Sequence, residues 1–138
     1  MKEKYLDKTY EDLTWREVLN SPVSAISGVS EQDGKDLKET FNIDTIFDFT
    51  QNKCVCLAQG INSFSKASGQ ILDKEFESKE FEELRKKPVN AISGISDKDA
   101  ALMKRAFGID TIQELAENKY VRIAQTIATL AFLEEILS

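Results

Sequence analysis

Apolar residues recur along this chain at the spacing of a helix. In an early leader segment Trp15 and Val18 are three positions apart, and Phe81 and Leu84 repeat that spacing later in the chain. Side chains three or four positions apart lie on one face of a helix and can be buried together. The pattern therefore predicts an all-α fold.

The pattern occurs twice. Residues 22–67 align with residues 88–133 at a constant offset of 66 without a gap, and 20 of the 46 aligned pairs are identical. Such an internal repeat indicates a duplicated structural unit. We therefore predict two tandem helical units packed together, residues 1–69 with an N-terminal leader helix and residues 70–138. Units this small are near the lower limit for an independent core, so each is expected to rely on the other.

Start and stop signals divide each unit into short helices. Ser30 and Thr45 are predicted N-caps, because an acidic residue follows each of them three positions later and can complete a capping box. The equivalent N-caps in the second unit are Ser96 and Thr111. Asn42 aligns with Gly108, and these two residue types best tolerate the left-handed conformation that ends many helices. One helix should therefore end at each of these two positions.

The connections follow from composition. Pro22 and Pro88 are predicted to stop or restart a helix, because proline lacks the amide hydrogen that a helix interior needs. A last helix is expected to begin near Lys53, and at the equivalent place in the second unit. The small, polar stretch Ser63–Gln70 predicts a linker, followed by the charged leader of the second unit, Ile71–Lys87.

Between the proline and the first capped helix, each unit carries a glycine hairpin. The first reads Ala-Ile-Ser-Gly-Val-Ser and is followed by Phe-Asn-Ile-Asp-Thr-Ile, and the second reads Ala-Ile-Ser-Gly-Ile-Ser and is followed by Phe-Gly-Ile-Asp-Thr-Ile. Gly28 and Gly94 are expected to allow a positive φ or a close backbone approach. Both runs resemble the helix-hairpin-helix family, with units similar to those of the C-terminal domain of the RNA polymerase alpha subunit and of the tandem acidic repeats of a bacterial transcription elongation factor.

This resemblance implies two possible roles, because some members of the family bind DNA and others bind only protein. In the DNA-binding members, the hairpin amides and a nearby cation hold a phosphate. The corresponding residues here are Gly28, Val29, Ser30, Gly94, Ile95 and Ser96. This chain has serine in place of the second glycine of the family pattern in both hairpins, and capping explains that serine better. Acidic residues also crowd both hairpins: Glu31, Asp33, Asp97 and Asp99.

Composition removes several classes of function. The chain has no histidine, and therefore lacks the commonest general base and the commonest transition-metal ligand. Cys54 and Cys56 are the only cysteines, and residues two apart on a helix point away from each other. We therefore predict no catalytic residue, no cofactor and no metal site. The apolar runs are too short for a membrane span and the N-terminus is charged, which predicts a cytoplasmic protein.

The last helix carries an apolar arc wider than one amphipathic face needs. Its members include Ile123, Ile127, Leu130, Leu133 and Leu137. The arc either joins the two units or exposes a docking face, which would also allow self-association. The net charge of −6 is shared between the halves and repels nucleic-acid phosphates. The sequence thus favours a non-catalytic protein–protein interaction or adaptor module; the alternative is weak nucleic-acid binding, with both hairpins contacting the phosphate backbone.

Overall fold

The computed structural model describes residues 2–71 and 79–138, and most of these residues are helical. The helices are α1 (Lys2–Tyr5), α2 (Trp15–Leu19), α3 (Glu31–Phe41), α4 (Ile46–Gln51), α5 (Lys53–Ile71), α6 (Lys79–Leu84), α7 (Asp97–Phe107), α8 (Ile112–Glu117) and α9 (Lys119–Leu137). Short 3-10 turns occupy Lys8–Tyr10, Val23–Ala25 and Val89–Ala91. The described ranges contain isolated β-bridges but no strand. The all-α prediction is confirmed.

The predicted N-caps and left-handed helix ends are confirmed. Each of the four predicted N-caps accepts a hydrogen bond from the amide three positions later, and the acid at that position accepts one from the cap's own amide. Helix α3 ends at Asn42 with φ 57°, and α7 ends at Gly108 with φ 67°. The bounds of α3, α4 and α5 recur 66 positions later as those of α7, α8 and α9.

The left-handed end of α7 gives a first test of these boundaries. Gly108→Ala is expected to lower the free energy of unfolding by about 1 kcal/mol, because a β-carbon is strained at positive φ. Steric overlap should add little, since no described atom beyond the adjacent residues lies within 4 Å of the position that the methyl group would take. Gly108→Asn is the matched control and should cost less, because Asn42 adopts the same conformation in α3. Urea unfolding measures all three proteins, and an alanine variant as stable as the wild type would place the helix end elsewhere.

The linker predicted over Ser63–Gln70 is wrong, because these residues continue α5 without interruption. Ser65 and Ser68 are buried rather than exposed. The Ser65 hydroxyl donates to the Glu82 carboxylate at 2.5 Å, and the Ser68 hydroxyl donates to the Ser65 carbonyl oxygen at 3.3 Å. Small polar side chains here allow close helix packing, and that packing overrides a composition typical of a loop. In the leader predicted to follow, residues 72–78 lie outside the described residues, and α6 begins at Lys79.

The chain divides into two compact units whose boundaries do not follow sequence order. The first unit comprises the residues up to Asn52 together with Lys119–Ser138, and the second comprises the described part of Lys53–Asn118. The chain leaves one unit for the other at Asn52 and at Asn118, where ψ is 130° and 134°. A helix ends and the next begins across a single extended residue at both places. The division predicted at residues 69 and 70 therefore lies within the second compact unit.

The first unit is built around α9, which packs against α2 and α4. Its core is apolar and includes Val18, Ile26, Ile46 and Ile127. One carboxylate on α9 also holds the start of α2, because Glu134 accepts hydrogen bonds from the amides of Trp15 at 3.0 Å and Arg16 at 3.3 Å. These amides begin α2 and lack partners within the helix, so Glu134 satisfies them.

The second unit is built around α5, which packs against α6 and α8. Its core is apolar and includes Val55, Ile61, Ile112 and Leu115. A polar network lies beside this core. Two nitrogens of the Arg85 guanidinium donate to the two carboxylate oxygens of Glu82, each at 3.0 Å, and a third contact reaches the Asn62 side-chain oxygen at 3.3 Å. The hydrogen bonds from Arg85, and then from Ser65, lower the pKa of Glu82 to about 2. Glu82 is therefore ionised throughout the neutral range and stays paired with Arg85.

The two units share one principle of construction. Helix α5 comes from the first repeated segment but packs on helices that belong with the second, while α9 comes from the second segment and packs on helices of the first. We call this arrangement the reciprocal helix exchange. As a result, each compact unit combines helices from both repeated segments.

Candidate functional site

The two glycine hairpins adopt the backbone conformation that the sequence predicts. Gly28 has φ 97° and Gly94 has φ 96°, values that favour glycine. The next residue of each hairpin, Val29 or Ile95, is buried and points its side chain into the unit that carries it. Each hairpin is therefore a rigid turn, with its apolar residue fixed in the core.

Most of the hairpin amides have partners within their own unit. The Val29 and Ile95 amides donate to carbonyl oxygens three residues earlier, at 3.0 and 3.1 Å. The Ser30 and Ser96 amides donate to the carboxylates of the acids that complete the capping boxes, at 3.2 and 3.1 Å. A bound phosphate would have to displace these carboxylates or accept their repulsion. The geometry gives a phosphate few free donors at either hairpin.

The hairpins differ in what lies over the glycine. At the first, the Tyr120 hydroxyl donates to the Gly28 carbonyl oxygen at 3.4 Å, and a β-carbon added to Gly28 would lie 2.6 Å from that hydroxyl oxygen. At the second, no described atom beyond the adjacent residues lies within 4 Å of a β-carbon added to Gly94. Tyr120 aligns with Cys54 in the repeat, so the smaller side chain stands at the equivalent place. The second hairpin is therefore the more accessible of the two.

Neither cysteine forms a disulfide in the described structure. Cys54 is buried and Cys56 is exposed. Burial raises the pKa of the Cys54 thiol. A raised pKa keeps the thiol protonated at neutral pH, which is the opposite of what a nucleophilic cysteine requires.

The apolar residues predicted on α9 fall into different environments. Ile127 is only 2% exposed, and Ile123 and Leu130 are half-buried. Leu133 and Leu137 are exposed, together with Phe132 and Ile136, and we call these last four residues the α9 end patch. Phe132 was not among the predicted residues. Its exposure could have been predicted from the repeat, because Phe132 aligns with Lys66, and lysine is a residue type suited to an exposed position.

The described residues show neither a metal-binding cluster nor a membrane-spanning helix, and known proteins give no match. In the part of the chain that the structure describes, no three cysteine, aspartate or glutamate side chains are grouped to hold a metal ion. No described helix is both long enough and apolar enough to cross a bilayer. Comparison with protein-family models, with curated proteins and with solved structures gives no significant match.

Proposed function

We propose that this protein is a pair of tandem helix-hairpin-helix-like repeats that acts as a non-catalytic protein–protein interaction or adaptor module. The α9 end patch carries this proposal. Its residues stand at positions i, i+1, i+4 and i+5 of one helix, and Phe132 is 60% and Leu137 80% exposed. Neighbouring apolar side chains that remain in water mark a surface suited to binding another protein.

The repeat part of the proposal is supported by the equivalence of local structure. Helices at matching positions have the same lengths, the same type of capping box and the same left-handed ends. Both hairpins place a positive-φ glycine before a buried apolar residue. These are the features expected of a duplicated helix-hairpin-helix-like unit.

The hairpins and the charge support a protein partner over a nucleic acid. At both hairpins a carboxylate already accepts a hydrogen bond from a serine amide, and the chain as a whole has a net charge of −6. Phosphate backbones are repelled by such a surface. Two cysteines that form no disulfide in the described structure fit a reducing compartment, and we propose that the protein acts in the cytoplasm.

A matched pair of phenylalanine variants tests the interaction surface. Phe132→Ser removes the centre of the α9 end patch, whereas Phe47→Ser removes a side chain of the same type that is 44% exposed on α4. We expect the wild type and Phe47→Ser to retain the same partner in affinity capture from the native cytoplasm at two salt concentrations, and Phe132→Ser to lose it. Light scattering on the three purified proteins shows whether that partner is a second copy of the chain.

Two results would contradict the proposal. One is equal partner capture by all three proteins, which would remove the α9 end patch from any binding role. The other is sub-micromolar, salt-sensitive binding of duplex DNA in a fluorescence-anisotropy titration at about 0.15 M salt. That second result would favour the nucleic-acid alternative, with the open hairpin at Gly94 as the contact to examine.

A further inference from the structure

The first unit contains an apolar groove that the proposed function does not use. It encloses about 450 Å³ between the N-terminal segment, α2 and α9. Its apolar lining consists of Tyr5, Leu6, Trp15, Ile123, Ile127 and Leu130. Small-ligand sites in proteins have this size and this mainly apolar character, with a few polar groups that orient the ligand.

Two cations line this groove, although the chain as a whole is acidic. Lys119 and Arg122 of α9 line it directly. The Lys2 ammonium lies 4.6 Å from the centre of the Trp15 ring, and the Lys4 ammonium lies 5.4 Å from the centre of the Tyr5 ring. The described residues that line the groove therefore include two cations and no carboxylate, in contrast to the net charge of −6.

The nearby carboxylates of α9 are already engaged. Glu134 accepts hydrogen bonds from the first amides of α2, and Glu135 forms an ion pair with Arg16. Among the described residues, Arg122 has no ion-pair partner, and its guanidinium is exposed beside the groove. Arg122 aligns with Cys56, so the first repeated segment has no equivalent cation. Lys119 aligns with Lys53, so Arg122 is the lining cation that distinguishes this groove from the equivalent region of the other unit.

We propose that the groove binds a small amphipathic anion, namely an aliphatic carboxylate. Its chain lies against Trp15, Ile127 and Leu130, and its carboxylate is held by Arg122 and Lys119. Burial of the chain supplies the affinity, and the cations select an anionic head group over a neutral or cationic one. The site is separate from the α9 end patch, so it adds a ligand to the proposed interaction module.

Trp15 makes the binding measurable, because it is the only tryptophan of the chain and lies in the groove wall. The full chain is titrated with hexanoate, octanoate and decanoate, each below its micelle-forming concentration. We expect a saturable blue shift of the Trp15 emission whose midpoint falls as the carboxylate lengthens. Decyltrimethylammonium has the same tail with a cationic head and should give no saturable shift. Calorimetric titration provides a second readout of the same binding.

Charge reversal at matched positions tests the head-group contact. Arg122→Glu is expected to weaken decanoate binding about tenfold, because it turns an attraction at the rim into a repulsion. Lys98→Glu changes the net charge by the same amount at an exposed residue of the second unit and should leave the midpoint unchanged. Ile123→Phe keeps both cations but fills part of the groove, and should also weaken binding. Circular dichroism confirms that each variant is folded.

Several outcomes would overturn this inference. They are the absence of saturable decanoate binding by both readouts, equal binding of the cationic detergent, and equal weakening by Arg122→Glu and Lys98→Glu. Loss of decanoate binding in Phe132→Ser would also overturn it, because the anion would then occupy the α9 end patch. Decanoate binding that survives in Phe132→Ser while the partner protein is lost would support both proposals separately.

Discussion

Ile127→Asp is expected to unfold the unit formed by α2, α4 and α9. Ile127 is 2% exposed, and an aspartate there would place an unpaired charge in an apolar core. The lost burial and the cost of the charge together should lower the free energy of unfolding by about 4 kcal/mol. Urea unfolding followed by circular dichroism measures this loss.

Hydrogen exchange shows which helices depend on Ile127. We expect faster amide exchange in α2, α4 and α9, while α7 and α8 keep their protection. Ile136→Asp is the matched control, because Ile136 is on the same helix and 58% exposed, and it should cost less than about 1 kcal/mol. Loss of protection in α7 and α8 instead of α2 and α4 would show that α9 packs within its own repeated segment.

The second large effect is expected at Ile61, which aligns with Ile127 in the repeat. Ile61 is buried on α5, so Ile61→Asp should destabilise the second unit by about 3 to 4 kcal/mol for the same physical reasons. Amide exchange should accelerate in α5, α6 and α8 and remain slow in α2 and α4. The control is Leu57→Asp, because Leu57 is exposed on the same helix and its replacement should change stability little.

The two aspartate variants together test the reciprocal helix exchange. If each last helix packed on its own segment, Ile61→Asp would release α2 and α4, and Ile127→Asp would release α7 and α8. The exchanged arrangement predicts the reverse assignment for both variants. Because the two positions are equivalent and the substitution is the same, any difference in which helices lose protection depends only on which helices α5 and α9 contact.

Local structure was predictable from the sequence because its determinants lie within a few residues. The capping box at Ser30 depends on Asp33, and the end of α7 depends on the conformational freedom of Gly108 itself. The linker prediction over Ser63–Gln70 failed for the opposite reason. Those residues are helical because of what α5 packs against, and that contact comes from a distant part of the chain.

The reciprocal helix exchange could not be read from the sequence. The two segments are so alike that the apolar positions of α9 do not specify which segment it packs against, and Asn118 before it is as extended as Asn52 before α5. The surroundings of the candidate sites also depend on contacts between residues far apart in the chain. Tyr120 covers Gly28 from 92 positions away in the chain, and α9 buries part of its apolar arc by packing against α2 and α4. The spacing of apolar residues along one helix does not specify which distant helices it will contact.

The reciprocal helix exchange also gives the two units different chain topologies. The described helices of the second unit all lie within Lys53–Asn118, a continuous stretch of chain. The first unit instead joins the residues up to Asn52 to α9, and the contact between Trp15 and Glu134 links positions 119 apart. Closing a longer loop costs more chain entropy, and contacts between distant residues form more slowly. The exchange therefore makes the second unit the faster of the two to fold, although the two units are built from equivalent helices.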